Sequence, residues 1–186
     1  MTDGITPPGI ILPGIGGSGA AHWQSLWESE DASFLRFRPS DWDQPDLDDW
    51  IAALESAIAQ VGAPPVLVAH SLACLLVAHA ADRIAGRVRG AFLVAVPDPS
   101  GPAFPAEAAS FRTVPAVPLP FPALLVASTD DPYGSLAYAR QRAGEWRAGL
   151  VEIGACGHIN GASGLGGWRE GRNLFDAFRA GLRDAA

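Results

Sequence analysis

Apolar runs and amphipathic segments alternate along the chain, as strands separated by helices do. Gly9-Ile10-Ile11-Leu12-Pro13 is a short apolar run that stops at a glycine-rich turn and predicts a first strand. The stretch 22–29 reads as a helix, and Phe34-Leu35-Arg36-Phe37 alternates as a strand would. Leu47, Trp50, Ile51, Leu54, Ile58 and Val61 recur at helical spacing and make one apolar stripe. Asp46 and Asp48 fall in the first turn of that helix, where its dipole favours negative charge. A strand over 66–69, a helix after Ser71 and a strand over 91–96 follow.

Residues 97–122 are rich in proline and show no clear period. They read as a long surface excursion with one short helical turn near 106–110, and loops of this length inside a compact domain are often functional. Beyond them come an apolar strand over 123–128, a helix over 136–146 and a strand over 150–153. An amphipathic helix over 168–182, carrying Leu174, Phe175, Phe178 and Leu182, completes the pattern.

Continuous apolar strands separated by helices predict an α/β domain, with a mostly parallel sheet covered by helices on both faces. Such sheets place their chemistry beyond the carboxyl ends of the strands. Four polar or glycine-rich stretches lie there. Ser71 follows the 66–69 strand, Asp130 and Asp131 follow 123–128, His158 follows 150–153, and Gly14 to Gly19 follow the first strand.

The most informative of these is Ser71. In Pro65-Val66-Leu67-Val68-Ala69-His70-Ser71-Leu72-Ala73-Cys74 a β-branched apolar run gives way at once to a helix-forming one. A serine on such a strand-to-helix turn is the nucleophile elbow of an α/β-hydrolase, although Ala69 and Ala73 stand where the usual pattern has glycines. The Cβ of Ala73 is expected to crowd the turn. The plain alternative for Ser71 is a helix N-cap. Asp130 and Asp131 could be turn residues, and His158 a loop histidine. The order Ser, Asp, His along the chain is the order that α/β-hydrolases use.

Among the histidines, alternation turns the side chain of His70 away from that of Ser71, which suggests a structural role. His79 lies eight residues down the helix from Ser71, about 12 Å away at 1.5 Å per residue, and cannot reach the serine. His22 lies on the active face of the sheet and is a candidate for lining the pocket or tying down the loop. His158 is left as the base. Of the two carboxylates, Asp131 precedes the turn Asp131-Pro132-Tyr133 and is preferred as the acid, with Asp130 the runner-up in a turn-stabilising role.

An oxyanion needs two N–H donors: Leu72, the residue after the nucleophile, and Ile15 in the loop after the first strand, with Gly14 and Gly16 allowing the close approach. The same loop spells Gly14-x-Gly16-x-x-Gly19, which also suits a dinucleotide phosphate. No acidic residue for a ribose ends the second strand, which runs Arg36-Phe37-Arg38-Pro39; an arginine there suits a phosphorylated ribose instead, but that reading leaves Ser71, Asp131 and His158 unexplained.

Composition narrows the partners. The 186 residues suffice for one domain, 1–186, with a substantial core. A net charge of −7 argues against nucleic acid and against an anionic membrane surface. Two cysteines, Cys74 and Cys156, make neither a disulfide framework nor a zinc motif, so no metal is implied, and Cys74 reads as a small buried hydrophobe. The first residues, Met-Thr-Asp-Gly-Ile-Thr-Pro-Pro, have no basic n-region or apolar h-region, and a cytoplasmic protein is expected. Six tryptophans are many for this length; an exposed pair would favour an interaction protein of little or no catalytic activity.

Taken together, these blocks resemble the small serine hydrolases related to retinoblastoma-binding protein nine and to the bacterial YdeN type. The resemblance covers nearly the whole chain. It is carried by Leu12-Pro13-Gly14-Ile15-Gly16-Gly17-Ser18-Gly19, His22-Trp23-Gln24, Asp41-Trp42, Pro45-Asp46-Leu47, His70-Ser71-Leu72, Ser128-Thr129-Asp130-Asp131-Pro132-Tyr133 and Gly157-His158-Ile159-Asn160. It implies a single α/β-hydrolase domain with no large cap and no metal or other cofactor. It also implies esterase-like action on a small acyl substrate, with Ser71 as nucleophile, Asp131 as acid and His158 as base.

Overall fold

The computed structural model describes residues 9–182; the N-terminal stretch read above for a leader lies outside the described residues. Six parallel strands form one sheet in the order β2-β1-β3-β4-β5-β6. They are β1 (Gly9–Leu12), β2 (Phe34–Arg36), β3 (Val66–His70), β4 (Gly90–Val94), β5 (Ala123–Ala127) and β6 (Gly149–Glu152). The helices are α1 (Trp23–Glu30), α2 (Leu47–Gln60), α3 (Leu72–Ile84), α4 (Leu136–Trp146) and α5 (Arg169–Gly181). Every predicted element is present, with ends displaced by one or two residues. Asp46 is the N-cap of α2 rather than a first-turn residue: its side chain accepts from the Asp49 N–H, and Asp48 and Asp49 fill the turn.

The alternation of side chains across the pleat builds two cores. Ile10, Leu12, Leu67, Ala69, Ala91, Leu93 and Leu125 point to one face, beneath α2 and α3. Ile11, Val66, Val68, Phe92, Val94 and Val126 point to the other, against Trp23 and Trp27 of α1, Trp168, and Phe175 of α5. Helix α3 has almost no exposed residue, because it lies against the sheet, α2 and the 97–122 segment.

That segment is not wholly a surface excursion. It forms a 3₁₀ turn at Ala106–Phe111, and Phe104, Ala108, Phe111 and Phe121 are buried in the core. Irregular backbone with four apolar anchors has no sequence period, which is why its burial does not show in the pattern. The tryptophans are likewise packing residues. Trp23, Trp27, Trp50, Trp146 and Trp168 are at most 3% exposed and Trp42 is half-buried, so they offer no exposed pair for a partner.

The strand order reverses its direction of growth between β1 and β3. The chain runs from β1 outward to β2, returns to β3 on the other side of β1, and then proceeds to β6. The carboxyl ends of β1 and β3 flank the crevice that such a reversal opens. Gly14 leaves the first of these ends and Ser71 the second.

Candidate active site

Ser71 is held in an unusual backbone conformation. Its φ is 56° and its ψ −125°, a region that non-glycine residues rarely occupy and that costs on the order of 1–3 kcal/mol. The Ser71 N–H donates to Val94 O at 2.9 Å and the Cys74 N–H to Ser71 O at 2.9 Å, so the neighbouring strand and the first turn of α3 impose the bend. The serine makes no side-chain cap bond, which removes the N-cap explanation. Ala69 and Ala73 are fully buried, and the elbow forms with both in place; the crowding expected from Ala73 is accommodated. Cys74 is a buried free thiol, its pKa pushed up by burial.

Ser71 Oγ lies 2.8 Å from His158 Nε2. On the far side of the ring, His158 Nδ1 lies 2.9 Å from both Oδ1 and Oδ2 of Asp131. An ionised carboxylate only accepts, so this contact assigns the hydrogen to Nδ1 and turns the lone pair of Nε2 toward the Ser71 hydroxyl. The Asp131 side chain is only 2% exposed, and its Oδ1 also accepts the Tyr133 N–H at 2.9 Å. The Tyr133 ring packs on that of His158 with centroids 4.4 Å apart.

Asp130 faces elsewhere. Its Oδ1 accepts from Ser128 Oγ at 2.7 Å and from the Gly157 N–H at 2.8 Å, which hold its carboxyl below the usual range. Ser128 Oγ in turn accepts the Cys156 N–H at 2.9 Å. The two adjacent aspartates thus divide the work: one meets the imidazole, and the other ties the loop bearing that imidazole to the end of β5.

His70 is buried, and its Nε2–H donates to the carbonyl of His158 at 2.9 Å, which accords with the expected structural role and specifies it. Burial keeps its pKa well below the usual value, so the ring is neutral. His22 caps α1: its Nδ1 accepts the Gln24 N–H at 3.2 Å, and its ring lines the pocket. Burial, with help from Arg36 and His158, lowers its pKa to about 4. His79 lies away from Ser71, with its Nε2 3.4 Å from Phe111 O.

Gly14 abuts the elbow. A Cβ there would lie 2.9 Å from Ser71 Cβ and 3.1 Å from His70 O, so only glycine lets the loop come this close. The Gly16 and Gly17 N–H groups are bonded to Trp42 O and Gly14 O. Leu72 is the first residue of α3, so its N–H has no carbonyl within the helix to meet, and Ile15 lines the pocket beside it. Arg36 is spent on structure: it reaches Glu28, Ser25 Oγ and the carbonyls of Gly17 and Ser18. This engagement takes Arg36 away from the phosphorylated ribose of the dinucleotide reading.

Sequence reasoning gave Gln24 no role of its own. It is fully buried, and its Nε2 donates to Leu12 O at 3.1 Å and Val68 O at 2.9 Å, while its Oε1 accepts from Ser18 Oγ at 2.7 Å. One amide thereby locks the ends of β1 and β3 and the glycine loop together. A polar residue buried by contacts with other elements leaves no periodic signal.

A cleft of about 530 Å³ opens over Ser71 and His158, within the range of roughly 300–1,000 Å³ usual for small-molecule sites. Residues 9–177 match the family described as serine hydrolase. The chain belongs to that family. It is 31% identical to a YdeN-like hydrolase from Pectobacterium atrosepticum, with a TM-score of 0.86 over 95% of this chain and 92% of that one. The ydeN gene product from B. subtilis is 19% identical and has a TM-score of 0.77, covering 94% of this chain and 100% of its own. A monoacylglycerol lipase from Paleococcus ferrophilus shares the fold at 13% identity and a TM-score of 0.70, over 94% of this chain and 96% of that one. No curated protein matches the chain. The hydrolase therefore has the single-domain α/β-hydrolase fold and the family that the sequence blocks suggested, and among its described residues no helix is long and apolar enough to cross a membrane.

Proposed function

We propose that this hydrolase cleaves small esters or related acyl compounds through Ser71, His158 and Asp131, by way of an acyl-enzyme. The observation that carries this reading is the unbroken hydrogen-bonded line from Ser71 Oγ through the imidazole of His158 to the carboxylate of Asp131.

His158 Nε2 takes the hydroxyl proton as Oγ bonds to the acyl carbon. Asp131 holds the Nδ1–H tautomer and stabilises the imidazolium that forms. The backbone N–H groups of Leu72 and Ile15 receive the developing oxyanion, each donor being worth about 10²–10³ in rate. The C–O bond to the alcohol then breaks, and the alcohol leaves with the proton from Nε2. Water then gives a proton to Nε2 as its oxygen bonds to the acyl carbon; the acyl–Oγ bond breaks, Nε2 returns that proton to Ser71 Oγ, and the acid is released. The strained backbone of Ser71 supports this assignment, because such strain persists where surrounding structure enforces it and clusters at active sites.

Treatment with a fluorophosphonate probe tests the reading. The native protein is expected to label at Ser71 and the Ser71→Ala variant to remain unlabelled. A native protein that does not label would overturn it.

A further inference from the structure

The walls of the cleft carry information about the acyl group. Its apolar floor is built from Leu72 at the start of α3 and from Pro97 and Phe104 of the 97–122 segment, all buried. Ile15 and Tyr133, each 37% exposed, stand at its rim. They are two of the three large apolar side chains that lie exposed among the described residues, and both are at this one cleft.

No lysine, arginine, aspartate or glutamate is among the described residues that line it. The polar side chains there are Ser18, Ser71, Asn160, three histidines and the phenol of Tyr133. Two of those histidines are fixed as neutral rings by burial, His70 against the His158 carbonyl and His22 against the Gln24 N–H. Arg36, which acts on His22 from nearby, is neutralised by Glu28 at 2.7 Å. A substrate carboxylate or phosphate entering this cleft would lose water and meet no cation, and an unpaired buried charge is costly. The chain's net charge of −7 adds a repulsive field.

We infer that the cleft selects uncharged esters with an apolar acyl chain and rejects acyl groups ending in a carboxylate. This rests on hydrolysis at Ser71, so the test includes a measurement that does not need turnover.

Ethyl butyrate and monoethyl succinate form a matched pair that differs by a terminal methyl against a carboxylate. With the native protein, kcat/KM for ethyl butyrate is expected to exceed that for monoethyl succinate by about 10²-fold or more, the scale of leaving a charge unpaired. Ala162→Lys or, should that variant fold poorly, Ala21→Lys places a cation at the exposed rim and is expected to narrow the gap at least tenfold, mainly through KM. Binding of the same two esters to Ser71→Ala, followed by ligand-observed NMR, is expected to favour the neutral one. Equal turnover of the pair, or equal binding to Ser71→Ala, overturns the inference. Selective binding of ethyl butyrate by Ser71→Ala, with no turnover of either ester by the native protein, upholds the cleft's selectivity and defeats the proposed reaction instead.

Discussion

His70 Nε2 lies 2.9 Å from the carbonyl oxygen of His158, a residue 88 positions further along the chain. The residue that precedes the proposed nucleophile thus holds the backbone of the proposed base. His70→Ala leaves a buried carbonyl without its donor, which costs about 1–3 kcal/mol. Its kcat is expected to fall by about tenfold or more with KM nearly unchanged. His70→Gln, which offers an N–H at similar reach, is expected to recover much of the rate. Equal loss in both variants would show that packing, not the hydrogen bond, matters at this position.

The two adjacent carboxylates give separable outcomes. Asp131→Asn keeps the shape but can donate toward Nδ1 and so favour the wrong tautomer of His158, a change that lowers kcat by about 10⁴ in triads of this kind. Asp130→Asn loosens the loop tie to Ser128 and Gly157 without touching the imidazole. Its kcat is expected to stay within about tenfold of the native value. Steady-state ester hydrolysis by the two variants separates these roles.

Acid sensitivity follows from His22. Its folded pKa of about 4 lies below the ordinary 6.5, so between these values the unfolded chain binds the extra proton. Stability is then lost as pH falls from about 6.5 toward 4, by at most roughly 3 kcal/mol from this group. His22→Asn keeps an N-cap acceptor for α1 and removes the titration. Urea midpoints at pH 7 and pH 4.5 are expected to differ less in His22→Asn than in the native protein.

Gly14→Ala puts a methyl group against the elbow. Contacts of 2.9 Å to Ser71 Cβ and 3.1 Å to His70 O force the loop and Ser71 apart. Overpacking of this kind costs about 1–3 kcal/mol. We expect kcat to fall at least tenfold, with a smaller relative change in thermal midpoint, measured by hydrolysis and by melting.

Ala73→Gly restores the usual residue after the elbow. Because Ala73 is fully buried in the first turn of α3 and the elbow already forms, the change is expected to lower stability by about 1 kcal/mol. No gain in kcat is expected. A large gain, read from the same ester assay, would mean that the alanine does constrain the turn.

The strands and helices were legible in the sequence because each carries its burial in a period. Val66 to Ala69 reads as apolar on both faces, and α2 shows one stripe. Ser71, His158 and the Asp130–Asp131 pair stood out because each follows a strand end, and the Asp131-Pro132-Tyr133 turn pointed to the aspartate that meets the imidazole. Features that join distant segments left no such trace. The pairing of Gln24 with Leu12 and Val68, the grip of His70 on His158, and the burial of Phe104 and Phe111 all depend on contacts between elements rather than on any local pattern.

The indoles beneath the His158 loop give the molecule a built-in optical gauge. Trp23 Nε1–H donates to Ile159 O at 2.8 Å, and Trp27 Nε1–H to Gly167 O at 2.7 Å. Both rings pack with Trp168, at centroid distances of 5.2 and 6.2 Å. An excursion that lifts the loop breaks the Trp23 bond to Ile159 and uncovers that ring, so a red shift in the protein's own fluorescence is the expected sign that the imidazole has left its seat.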